Sequence, residues 1–166
     1  MDTYLATMLG VITSFLLWYL GTSWFQYRRN KKASEILSKE LKEEISFNIA
    51  ILDQFGNNIQ EELSRHIIPL FIPHRLNLSV YEYAVSSGEL RLLPSYQKKE
   101  LIIDAAYIAD SFNKFIENTE YLLGIFQLKP HDQALRLAHH RLNGLMEQAE
   151  STRQTLLNIL KEIKQK

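Results

Sequence analysis

Between Thr3 and Tyr27 the sequence reads TYLATMLGVITSFLLWYLGTSWFQY, with no charged side chain. A helix needs roughly 20 such residues to cross the hydrocarbon core of a bilayer, where each backbone polar group must be satisfied inside the segment itself. A cleavable leader would carry its positive charge ahead of a shorter apolar run and end at a small-residue cleavage site. Here the cations follow the run, as Arg28, Arg29, Lys31 and Lys32. Residues 1–32 are therefore expected to form a retained transmembrane anchor with a basic flank. Such flanks stay on the cytoplasmic side. The chain is then a single-pass protein of the cell inner membrane, N-terminus outside and residues 33–166 in the cytoplasm. Trp24 and Tyr27, with Arg28, Arg29, Lys31 and Lys32, mark the membrane interface, where amphipathic rings settle above a basic cluster.

Ala6, Gly10 and Ser14 recur every four residues, the small-xxx-small spacing that lets two helix backbones approach closely in lipid. They are the expected membrane oligomerisation face. No ionisable group lies inside the span, so a proton or ion path through a single copy is disfavoured. A pore would have to be assembled from several copies.

Beyond the anchor, the length suits one domain of ordinary size. Lys plus Arg equals Asp plus Glu at 19 each, so no global field attracts nucleic acid, and direct nucleic-acid binding is not expected. With no cysteine, disulfides, thiol catalysis and thiolate metal sites are excluded. Gly and Pro number only 6 and 4, which favours helix over an all-β or disordered chain.

Leu37, Leu41, Ile45, Ile49, Leu52, Phe55, Ile59 and Leu63 advance by three or four, as one buried helical face does. The spacing predicts a long amphipathic helix over about 33–67, bent at Gly56-Asn57-Asn58 and continuing from the membrane. Leu101, Ala105, Ile108, Phe112, Phe115, Thr119, Leu122 and Phe126 form a second seam, opened by Ser95 after Pro94 and closed by Lys129-Pro130. Leu135, Ala138, Leu142, Leu145, Ala149, Thr152, Leu156, Ile159 and Ile163 form a third. The expected fold is all-α: a transmembrane helix followed by an antiparallel bundle of three long, coiled-coil-like helices with a short connecting helix.

That connecting helix is predicted to open on a capping box, Ser79 with Glu82, and to close on Gly88 in the left-handed conformation. The segment LSVYEYAVSSGELRLLP resembles a connection, LSxxxYExAxxSGEL-like, that recurs in poorly characterised single-span membrane-anchored helical proteins of bacteria and archaea. The resemblance implies a shared link between two long helices and a microbial source rather than any activity.

Just before it lies RHIIPLFIPHR, residues 65–75, an apolar stretch between two cationic pairs. A helix over 33–67 would carry this stretch about 50 Å from the bilayer. Pro69 and Pro73 break any continuous helix there. The simplest expectation is a lid closing the far end of the bundle, with cations at its rim. Arg65, His66, His74 and Arg75, with Arg91, Lys98 and Lys99 from the next connection, form a candidate ligand-binding set for an anion such as a nucleotide or phosphate. The alternative is a protein contact surface.

Catalytic chemistry is missing from the pattern. His131, His139 and His140 lack ligand spacing and a companion carboxylate, so no metal is expected, and His139-His140-Arg141 is assigned to a solvated face. No serine stands in a nucleophile elbow. The expectation is a non-enzymatic membrane protein without cofactors, which self-associates or binds a protein partner. Two rival expectations share that architecture: a ligand-gated membrane effector signalling in antiviral defence, and an accessory subunit of a membrane complex.

Overall fold

A computed structural model describes residues 2–64, 68, 69, 72, 75–93 and 95–165, except for the side chains at 2, 3, 5, 6, 63 and 165. Helices are the regular elements among these residues, and no strand occurs among them. α1 spans Asp2–Ser64, α2 Ser79–Ser86, α3 Tyr96–Phe126 and α4 His131–Gln165, with a 3-10 turn at Glu89–Leu92 between α2 and α3.

α1 runs 63 residues without interruption, about 95 Å at the helical rise. The amphipathic stretch is thus continuous with the apolar one, and the helix passes through Gly56-Asn57-Asn58. Burial divides it sharply. The described side chains from Tyr4 to Lys32 are all exposed, and the first buried one is Ser34. From there Leu37, Leu41, Ile45, Ile49, Leu52, Phe55 and Ile59 enter the core as their spacing predicts. Leu63 lies outside the described side chains.

α4 packs against both α3 and α1, whereas α1 and α3 meet each other at few points. One of these is Phe55 on α1 against Phe112 on α3, edge to face with ring centroids 5.5 Å apart. α1 and α4 run in opposite senses, since Ser34–Ser46 share a groove with Lys164 while Asp53 pairs with Arg153 farther along. α4 buries Ala138, Leu142, Leu145, Ala149, Thr152, Leu156, Ile159 and Ile163 as expected, together with Ala134 and Leu160, while Leu135 is only half-buried.

α3 corrects the predicted seam. Its deepest side chains are Ile102, Ala105, Ala109, Phe112, Ile116, Thr119 and Leu123, while Leu101, Ile108, Phe115 and Phe126 are partly buried at the flank. The seam turns by about 100° between neighbouring positions, and α3 carries apolar residues on nearly every side, so periodicity alone did not fix its phase.

Of the stretch expected as a lid only residues 68, 69, 72 and 75 are described, and Ile72 among them is buried. The described part of 68–78 is an extended strap running back along α3. The Ile68 carbonyl accepts from Gln127 Nε2 at 3.4 Å. The Ile72 N–H donates to Glu120 Oε1 at 2.7 Å, and the Leu76 N–H to Asn113 Oδ1 at 2.7 Å. Each four-residue step along the strap matches two turns of α3. Strand-like backbone rises about 3.3 Å per residue against 1.5 Å in the helix, so the two repeats stay nearly in step.

Candidate functional site

Three places in this fold bear on function: the strap, the dispersed cations and the apolar half of α1. At Leu76 and Asn77 the strap lies between α3 and α1, held by an asparagine from each. Asn113 on α3 accepts the Leu76 N–H and returns its Nδ2 to the Leu76 carbonyl at 2.9 Å. Asn48 on α1 does the same for the next residue, accepting the Asn77 N–H at 2.7 Å and donating to its carbonyl at 2.8 Å. Neighbouring residues of an extended chain turn their edges to opposite sides. Each carboxamide therefore takes the part of one strand neighbour, which satisfies backbone groups that burial would leave costly.

Glu44 then captures the start of α2. Its carboxylate accepts the Val80 N–H at 2.8 Å and the Tyr81 N–H at 3.2 Å. This overturns the predicted capping box: Leu78 occupies the cap position and makes no side-chain cap bond, and within the segment it is Asn77 Oδ1 that accepts the Ser79 N–H at 3.1 Å. The free N–H groups of a first turn take any well-placed oxygen, and here it comes from another helix. Glu44 is buried, and that burial holds its pKa above the ordinary carboxylate value; the charge of Glu82 adds to the rise, and the Val80, Tyr81 and Ser79 donors oppose it. The other end follows expectation, with Gly88 left-handed at φ 72°. At α3 Ser95 stands at the cap position but makes no side-chain cap bond.

Where the structure describes them, the cations grouped in sequence divide between two places, Arg75 at one and Arg91, Lys98 and Lys99 at the other. Arg75 forks across two carboxylates of α3, Glu117 at 2.7 Å and Glu120 at 2.8 Å. Lys98 lines a groove at the other end, with Ser34, Lys39, Lys42 and Lys164 as well as Glu35 and Glu43. Asn113, level with Leu76 beside Arg75, is 15 residues from Lys98 on α3, about 22 Å along the axis. Arg91 is exposed, and its carbonyl accepts from Lys99 Nζ at 3.2 Å. Arg65, His66 and His74 lie outside the described residues. The Arg75 guanidinium is thus a structural clamp on the strap, already neutralised by its partners.

His131 and His140 are exposed, whereas His139 is half-buried and departs from the expected solvated face. Among the described residues no three His, Cys, Asp or Glu side chains stand together as a metal site would require.

The apolar half of α1 is long and apolar enough to cross a membrane, and none of its apolar window is buried by the rest of the chain. Thr13 and Thr22 return their hydroxyls to carbonyls four residues back, Thr22 to Trp18 at 2.6 Å, which removes free donors from an apolar face. Arg28 lies over the Trp24 ring at 5.0 Å. Lys31 and Lys32 are exposed beyond it. Gly10 and Ser14 face open space; a Cβ on Gly10 would meet nothing within 4 Å. The Ala6 side chain lies outside those described.

No protein-family model, curated protein or solved structure matches the chain.

Proposed function

We propose that the chain is a non-enzymatic, single-pass membrane protein, its N-terminus outside and its antiparallel helical bundle on the cytoplasmic side of the inner membrane, working by association with further copies or with a protein partner. The observation that carries this reading is α1. Among the described residues nothing covers the first half of this unbroken helix, whose second half supplies one wall of the core. So many large apolar side chains on one exposed rod are costly in water and natural in lipid. The basic flank at 28–32 sets the orientation. With polar side chains in the core and connection committed to backbone bonds and ion pairs, association is favoured over chemistry.

Membrane extraction tests the anchor. The full chain is expected to remain with membranes through alkaline carbonate and to dissolve only in detergent. Protease added to inside-out vesicles should degrade 33–166. Release by carbonate would contradict the anchor, and protection of the bundle in those vesicles would reverse the orientation.

A further inference from the structure

The solvent side of α3 is unusual. Opposite its buried face lie Tyr96, Ile103, Tyr107, Tyr121 and Ile125, exposed at 75, 41, 72, 69 and 36%. At 100° per residue they fall within a narrow stripe along the helix. A helix with one buried face ordinarily turns a polar face to water; α4 does so with Arg136, His140, Glu147, Glu150 and Glu162. The middle of the α3 stripe is charged, with Asp110 and Lys114 paired at 2.6 Å.

This order, apolar end, opposite charges, apolar end, is close to self-complementary about residue 112. We infer that the stripe docks a second copy of this chain, with the two α3 helices antiparallel. In the register that places 112 against 112, Ile103 meets Tyr121 of the second copy and Tyr96 meets its turn after Ile125, while Tyr107 meets Glu117 and Ile125 meets Lys99 at the rim. Asp110 meets Lys114, and Lys114 meets Asp110. A two-fold contact repeats each pair twice, so one match of charges becomes two. The parallel alternative sets Asp110 on Asp110 and Lys114 on Lys114, a like-charge arrangement that selects against it. Charge complementarity thus names both the occupant and its direction.

The inference gives the association between copies a form of its own, end to opposite end and not side by side in one membrane, and does not need the membrane. If the anchors do span bilayers, antiparallel docking sends them to opposite ends, so that the pair joins two facing membranes. That last step rests on the membrane reading, which carbonate extraction tests separately.

The absence of cysteine makes the test direct. Ile103→Cys and Tyr121→Cys chains, full length in detergent, are mixed and oxidised. The docking predicts a 103–121 disulfide in preference to 103–103 or 121–121, and a dimer by light scattering after subtraction of detergent. Lys114→Asp should weaken the dimer about tenfold or more with helical circular dichroism unchanged. Adding Asp110→Lys to it should restore the dimer, because the exchanged charges again face each other. A monomeric full chain, preferential 103–103 linkage, or a dimer indifferent to Lys114→Asp would each overturn the inference.

Discussion

Glu44 shows how one side chain ties two helices together. It leaves α1, lies buried, and takes the first N–H groups of α2. Its raised pKa fixes the sign of a pH effect. The folded state binds the proton more tightly than the unfolded chain, so this carboxyl's contribution to stability is fully present below its ordinary value of 4.5 and declines as pH rises through the folded pKa. Glu44→Gln keeps an acceptor oxygen and removes the titration. The thermal midpoint of the variant relative to the unsubstituted chain is expected to be higher at pH 7 than at pH 4.5. A difference independent of pH would mean that burial of the charge carries no such cost. Nothing in the sequence announced this role, because Glu44 sits in a Lys-Glu-Glu run that looks like a solvated face, and its partners lie 36 and 37 residues away.

At the scale of elements, the legible parts were those with one apolar stripe and a solvated reverse. α1 beyond residue 33 and α4 have that pattern, and their predicted core positions are the buried ones wherever their side chains are described, apart from Leu135. α3 was legible as a helix and not in its phase, since Ile103, Tyr107 and Tyr121 put apolar residues on the face away from the core. The strap was legible as a break in helix from its prolines. Its path was not, because that path is set by side chains far along the chain: Asn48, Asn113, Glu117 and Glu120. The same distance in sequence hid the pairing of Arg75 with Glu117 and Glu120. Asn113→Asp tests the strap as an element. The carboxylate still accepts the Leu76 N–H but faces the Leu76 carbonyl with no proton to offer, leaving a buried acceptor opposed by charge. The expected loss is about 1–3 kcal/mol of unfolding free energy in a denaturant titration near neutral pH. Stability equal to that of the unsubstituted chain would mean that the carboxamide donor bond contributes nothing.

The whole molecule is organised by α1, whose one run of backbone hydrogen bonds serves two environments. Its apolar turns are exposed and long enough to span a membrane, and its amphipathic turns pack on α4, with the change between them lying between Lys32 and Ser34. No loop separates the two, so a rotation or tilt of the bundle is carried into the span through the helix itself. That continuity is the central claim of the account, and a distance within α1 measures it. Spin labels at Ser23→Cys and Ala50→Cys, both exposed positions on either side of the change, are 27 residues apart, about 40 Å in an unbroken helix. With the full chain in lipid nanodiscs, pulsed electron paramagnetic resonance is predicted to give one narrow distribution at that distance. A broad distribution, or one well short of it, would contradict the account by showing a hinge between the anchor and the bundle.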